Sequence, residues 1–343
     1  MPLLRPTNAD YLAFLKAAAS NPAPGSKAVV KSRASFNVTP QLGAGALVTA
    51  SYVGNKSSPS SSVLQFGDPV GIPPVVIIPK VLPTGGDLIT LSNGRRYHYF
   101  TSATGTYNAG SGYSPVEIMA IGGGGGAQDG GTGSTNGGGG GSGNMIIASF
   151  TGLSGTYPVS IGSGGTALNN GANTTFNSTY IIALGGGAGA STSPAAVGGS
   201  GGGGSASASD AAGAAFGTVS NGSIISNLAN SGTLSKAGVG GGGGGVGAAA
   251  PGVDLVHYTT PGGAGVLYAG TYYGGGGGGG GGSGSFSSGD AGGVGGGGNG
   301  GIVGGTNTPG GPNTGGGGGG GSFSGSGSGA GGSGILIVSY PYP

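Results

Sequence analysis

Cysteine and tryptophan are absent from the chain, and histidine occurs only twice in 343 residues. Without cysteine there are no disulfides and no thiolate metal sites, an absence that is neutral about redox compartment. Charge is scarce as well: Asp, Glu, Lys and Arg together make up 5% of the residues. Acid–base and metal catalysis therefore have almost no raw material, and neither an enzyme nor a cofactor is expected. No apolar run reaches the length of about 18 residues that a membrane-spanning helix needs. At the N-terminus, Arg5 and Asp10 precede only a very short apolar patch at 11–15. That is a poor signal peptide, so export by the usual route is not expected.

What the chain has instead is glycine: 95 residues, of which only twelve precede Gly122. Average usage is about 7%. The runs are uninterrupted and lack the strict three-residue period of collagen. A flexible linker is one reading of such composition. The scarcity of charge argues against it, because soluble disordered segments are usually rich in charge. Order then requires a force that offsets about 1–2 kcal/mol per residue of lost backbone freedom. Few side chains are there to bury, so the backbone hydrogen bonds must supply it. A polyproline-II-like helix has three residues per turn and no internal hydrogen bonds. Its N–H and C=O groups point outward, and without Cβ atoms neighbouring helices can approach and pair them. The glycine runs are therefore expected to bond to one another laterally.

Charge is also unevenly placed. Up to Arg96 there are nine basic residues (Arg5, Lys16, Lys27, Lys31, Arg33, Lys56, Lys80, Arg95, Arg96) against Asp10, Asp68 and Asp87, a net +6. Beyond it, Lys236 alone faces Glu117, Asp129, Asp210, Asp254 and Asp290, a net −4. Such a split suggests two modules. In the first, residues 9–20 are good helix formers, with a cap at Thr7 or Asn8 and a stop at the proline-rich stretch 21–25. Tyr11, Leu12, Leu15 and Ala18 share one face of that helix. A single short helix is marginal in water, so Tyr11, Leu12 and Leu15 are candidate assembly contacts. Strand-like runs follow at 35–39, 46–53 and 63–66, and 73–79 is extended. The boundary is placed near 83–86, giving an anchoring module at 1–84 and a glycine-rich module at 85–343.

The second module alternates β-strand, glycine run and β-strand. Strands are expected at 95–103, 116–121, 144–150, 157–161, 179–184 and 334–340, with glycine runs at 122–126, 137–141, 185–187, 240–245, 274–282 and 315–321. The closing strand is far in sequence from its expected partners, so the module must fold back on itself. The expected fold is mainly β with a polyglycine-II helix bundle, plus a short N-terminal helix and a small N-terminal β module.

This succession, 116–126, 145–165, 179–187 and 335–340, resembles the glycine-rich domain of phage and giant-virus surface proteins. The same domain recurs in phage tail-fibre adhesins. The resemblance covers roughly residues 85–341 and rests on composition and strand order. In such adhesins polyglycine helices form a sandwich, and loops at their ends touch the host receptor. The resemblance therefore implies a role for loops rather than for any matched residue.

Other motifs carry little. The strand and glycines at 116–126 lack the following helix that a dinucleotide fingerprint needs, and no glycine run continues into a P-loop. His98 and His257 have no acid pair close in sequence, and His98 reads as structural. Arg95 and Arg96 beside Tyr97 and Tyr99 are too few to signal nucleic-acid binding, which is not expected. Asn37, Asn55, Asn173, Asn177 and Asn221 begin glycosylation-type triplets, a pattern that Asn- and Ser-rich chains produce by chance. Tyr268, Tyr272 and Tyr273 flank the run at 274–282, and Tyr258 lies in a nearby segment. These four either cap the glycine segments or contact a receptor.

The function expected from this reading is a structural protein of a virion surface, as a fibre, minor capsid or decoration component. Its partners would be other virion or filament subunits, a homo-oligomer with a trimer as one option, and a host surface glycan or protein. Neither a small-molecule substrate nor a membrane span is expected. The alternatives are a receptor-binding adhesin at a fibre tip, and an ice-binding or extracellular-filament protein.

Overall fold

The computed structural model describes strand residues 49–53, 63–67 and 75–77, and residues 81–342 apart from 131–135, 191–193, 206–210, 236–237, 253–259, 282–288, 304 and 323–326. The chain divides into two compact units, Met1–Val81 and Leu82–Pro343. In the first, β1 (Thr49–Val53), β2 (Val63–Gly67) and β3 (Val75–Ile77) pair as an antiparallel meander. The helix expected at 9–20, with Tyr11, Leu12 and Leu15, and the strand expected at 35–39 lie outside the described residues.

The second unit is mainly β, with no helix among its described residues. Its strands are β4 (Leu88–Ser92), β5 (Arg95–Phe100), β6 (Thr104–Asn108), β7 (Val116–Ile121), β8 (Met145–Phe150), β9 (Thr156–Ser160), β10 (Thr174–Phe176), β11 (Ile181–Ala183), β12 (Thr218–Val219), β13 (Ser223–Leu228), β14 (Val266–Tyr268), β15 (Thr271–Tyr273) and β16 (Ile335–Pro341). Six of them form one sheet in the order β13-β8-β7-β16-β5-β4, and five form another in the order β12-β11-β10-β9-β6. The last strand, β16, inserts between β7 and β5, so the six-stranded sheet is complete only when the end of the chain has returned.

Alternation along the strands sorts side chains to two faces. On one face of the six-stranded sheet Val116, Ile118, Ala148, Phe150, Leu336 and Tyr340 pack in a single cluster with Tyr107, Val159, Phe176 and Ile181 of the five-stranded sheet. This is a two-sheet sandwich core. On the opposite face Met119, Ile121, Met145, Ile335 and Ile337 pack under Val246 and Tyr273. The long central strands are mostly apolar because both their faces are covered, with Glu117, Ser149 and Ser339 as exceptions.

The strand expected at 95–103 ends instead at Phe100, and a separate strand, β6, begins at Thr104 in the other sheet. The Asp87 carboxylate explains the break. It accepts hydrogen bonds from the backbone N–H groups and hydroxyls of both Thr101 and Ser102, which turns the chain there. Those bonds hold the Asp87 carboxyl down at about 2.

Between the strands the glycine segments bond laterally to one another. Segment 137–144 is the clearest. Gly137, Gly140 and Gly143 donate to Gly321, Gly318 and Gly315; Gly138, Gly141 and Asn144 donate to Ala190, Gly187 and Leu184; Gly139 and Ser142 donate to Gly241 and Gly244. The direction of the N–H thus repeats every third residue. Its carbonyls accept from three further segments: Gly280 and Gly277 donate to Gly137 and Gly140, Gln128, Gly125 and Gly122 to Gly138, Gly141 and Asn144, and Gly203 and Ser200 to Gly139 and Ser142. One segment therefore has six hydrogen-bonded neighbours. Segments 122–128 and 275–281 show the same three-way alternation of acceptors. At Gly140 such approach excludes a side chain: a Cβ there would lie 2.0 Å from the carbonyl oxygen of Gly125.

Asparagines complete the pattern where a neighbouring carbonyl is missing. In segment 184–190, Gly186 and Gly189 donate to Gly123 and Gly126, while Gly187 and Ala190 donate to Ser200 and Gly203. The third direction is taken by side chains: Gly185 donates to Asn173 Oδ1 and Ala188 to Asn170 Oδ1, each at 2.9 Å. At the sheet end Asn144 donates through Nδ2 to Asn227 Oδ1 and the Leu228 carbonyl, and accepts from Gly217 N–H.

Candidate functional site

Two places in the second unit combine exposed chain with chemistry: the far end of the glycine segments, and a tyrosine hairpin on the six-stranded sheet. Segment 122–128 leaves β7 and segment 137–144 enters β8, and Gly122 donates to the Asn144 carbonyl beside the sheet. The opposite end is marked by bonds from Gly137 to Gly321, Gly138 to Ala190, Gly241 to Gly204, Gly281 to Gly301 and Gly321 to Gln128. The connections that follow Gln128, Ala190, Gly204, Gly281, Gly301 and Gly321 all leave from this end. Backbone pairing fixes where they start.

Near this end lies a buried acid. Asp290 accepts or donates at 2.8 Å through Oδ2 with the Thr260 hydroxyl, and its Oδ1 has no hydrogen-bond partner. The same hydroxyl faces the Gly240 carbonyl, yet it carries one hydrogen. Below its titration point the carboxyl is neutral, and it then can donate to Thr260 while Thr260 donates to Gly240. Burial, opposed by the Thr260 hydrogen bonds, pushes the Asp290 carboxyl up to about 6. A raised carboxyl favours the folded state fully below its ordinary 3.8, and that contribution is lost as pH rises through about 6. Asp290→Asn is therefore expected to be more stable than wild type at pH 8, on the order of 2–3 kcal/mol, and nearly equal to it at pH 4. Urea unfolding at the two pH values reads this directly. A gain that does not grow with pH would show that Asp290 is not neutral in the fold.

His98 acts in the opposite sense. It is fully buried, with Nδ1 donating to the Gly85 carbonyl at 2.7 Å and Nε2 accepting from the Tyr340 hydroxyl at 3.1 Å. Burial holds it below its ordinary 6.5, with the Arg96 charge adding in the same direction. Stability tied to His98 falls as pH drops below that value.

The hairpin β14–β15 turns at Ala269 and Gly270, both at positive φ (47° and 85°), as a two-residue loop requires. Its register pairs Val266 with Tyr273 and Leu267 with Tyr272. Tyr273 is 5% exposed and packs into the cluster on the sheet. Tyr268 packs beside it and donates to Glu117 Oε1 at 2.8 Å. Arg95 Nη2 lies 3.9 Å from the same oxygen and donates to Ser339 Oγ at 2.8 Å. This polar clasp ties the hairpin to β5, β7 and β16. Tyr272 is 49% exposed, and Leu267 across the strand pair is exposed too. Of the four tyrosines singled out in the sequence, then, Tyr272 faces solvent, Tyr268 and Tyr273 hold the hairpin down, and Tyr258 lies outside the described residues. The hairpin sits at the sheet, apart from the far end of the segments.

Sequence reasoning passed over Asn170 as a structural residue, and took Asn173 only as the start of a glycosylation-type triplet. Their spacing of three, opposite Gly185 and Ala188 at the same spacing, is the signal that would have found them. Among the described residues no group of three or more acids or histidines converges as metal ligands, and no helix is long and apolar enough to cross a membrane.

A search of curated proteins found none similar to this chain. The sequence model of the Glycine-rich domain family matches residues 101–341. That span holds β6 through β16 and every glycine segment described above, more than two thirds of the protein, and the chain belongs to the Glycine-rich domain family.

Proposed function

We propose that this chain is a non-enzymatic structural protein of a virion surface, in which the sandwich carries a bundle of polyglycine-II-like helices and the bundle presents loops outward. The observation that carries the scaffold part is the three-residue repeat of N–H direction along 137–144, with six bonded neighbours. Three residues per turn and outward-pointing backbone groups are the properties of an extended left-handed helix, and six neighbours are what hexagonal packing of such helices gives. A solved crystal structure should place these residues near φ of about −75° and ψ of about +145°. Dihedrals elsewhere would sink the helix assignment.

The virion part is supported by the resemblance in strand order and composition to phage and giant-virus surface proteins. In it, residues 1–84 attach the protein to the particle and the glycine-rich module faces outward, in company with other subunits. A receptor-binding adhesin at a fibre tip is the second reading, favoured by the connections that leave together from the far end of the segments. The chain is expected to co-sediment with purified particles on a density gradient, and antibodies raised against it should decorate intact particles. Its recovery only from the soluble fraction of an infected or producing cell would refute the virion assignment and leave the scaffold reading standing.

A further inference from the structure

Strand β4 is one outer edge of the six-stranded sheet, and among the described residues nothing pairs with its free side. Its sequence, Leu-Ile-Thr-Leu-Ser, has no charge and no proline. Leu88, Ile89 and Leu91 are 56%, 40% and 64% exposed. Natural sheets usually blunt such edges with lysine, proline or a bulge. The other edge of this sheet follows that rule, since β13 carries a register shift between Ile224 and Ser226. Strand β4 does not.

We infer that β4 is a self-association edge, on which a second copy of this chain docks its own β4 in antiparallel register about a twofold axis at Thr90. For such self-pairing the backbone geometry selects the register. Strands β4 and β5 are joined by the two-residue loop Asn93-Gly94, both at positive φ (49° and 68°). A loop of this kind is closed by a hydrogen-bonded pair, here Ser92 with Arg95. Pair types alternate along the ladder, so Thr90 and Leu88 also bond to β5. The N–H and C=O of Ile89 and Leu91 are left pointing outward. Centring the twofold on Thr90 sets Ile89 opposite Leu91 of the copy, and Leu91 opposite Ile89. All four free groups on each strand then find partners, and two aliphatic cross-strand pairs form on one face. No charged side chain falls within the five paired positions, so no like-charge repulsion opposes the match. The result is one continuous sheet of twice six strands. This inference stands on the edge geometry and does not rest on the virion reading.

The absence of cysteine makes a clean test available in the full chain. In the proposed register Thr90 faces its own copy as a non-hydrogen-bonded pair, with Cα atoms about 4.5 Å apart, within disulfide range. Thr90→Cys should give a covalent dimer on mild oxidation, reversed by reductant. Ser92→Cys, about 13 Å from its copy in the same register, should not. Sedimentation velocity of the unmodified chain from about 1 to 200 µM should show a monomer–dimer equilibrium. Leu91 is largely exposed on the folded unit, so Leu91→Lys should raise the dimer dissociation constant at least about tenfold without shifting the thermal midpoint of the unit itself. A chain that stays monomeric throughout, including one whose β4 edge is covered by its own residues 1–80, overturns the inference. So does a dimer indifferent to Leu91→Lys, or equal cross-linking at positions 90 and 92.

Discussion

Gly140→Ala should destabilise the second unit by at least about 3 kcal/mol, at the upper end of what overpacking costs in side-chain cores. The added methyl would sit 2.0 Å from the Gly125 carbonyl oxygen and 2.7 Å from its carbon. That oxygen accepts from Gly318, and Gly140 itself donates to Gly318 and accepts from Gly277. Three segments must therefore part to admit one carbon, and none has a side chain that can swing aside. The midpoint of thermal unfolding should fall by roughly 6–12 °C. Gly213→Ala and Gly252→Ala are the controls. Nothing lies within 4 Å of a Cβ at either position, and neither has a left-handed φ, so each should be neutral or stabilising by about 0.4–1 kcal/mol. Equal effects at positions 140 and 213 would mean that the segments are not packed as described. Gly278→Val belongs with Gly140→Ala, since its Cβ would meet the Asp290 carbonyl oxygen at 2.1 Å.

Two adjacent tyrosines should separate stability from recognition. Tyr273→Ala removes a ring packed beneath the hairpin among Met119, Ile121 and Ile337, and should cost about 3–5 kcal/mol, as large-to-small aromatic truncations in cores do. Tyr272→Ala, on the exposed face, should change stability by no more than about 0.5 kcal/mol. Thermal unfolding of both variants measures the difference. If Tyr272 belongs to a receptor-contact surface, its loss should instead reduce binding to host cells at unchanged stability. A large stability loss at Tyr272 would show that the outer face of the hairpin is also packed.

The longest apolar strands were read most cleanly from the sequence, although β5 and the largely exposed β9 were expected there too. Strands β7, β8 and β16 are mostly apolar runs that border glycine segments, and burial on both sides leaves few polar residues to blur the signal. Edge and short strands escaped for the converse reason. Half of β13 is Ser and Asn, as an exposed edge permits, and β10, β14 and β15 have three residues each, too few for a period to register. The tyrosines show what this costs at a candidate site. Tyr272 and Tyr273 look like one aromatic group until they are placed on a strand, which sends them to opposite faces. The lateral bonding of the glycine runs was legible from one physical requirement, that backbone groups be paired. Which run meets which was not, because glycine carries no side chain to name its neighbour.

That anonymity sets a rule for how the unit can change over evolutionary time. Each N–H in a segment meets the same neighbour as the residue three places on, so the segments are built in triplets. An insertion of three residues leaves every later group aimed at its proper partner, whereas one or two turn all of them toward the wrong segment. Slippage by a whole triplet keeps the bonding directions within a glycine run. It is penalised where side chains such as Asn144, Asn170, Asn173 and Asn230, and the register of the adjoining strands, hold fixed positions. The asparagines thus serve as frame markers, and the lengths of the glycine runs can drift in steps of three between them.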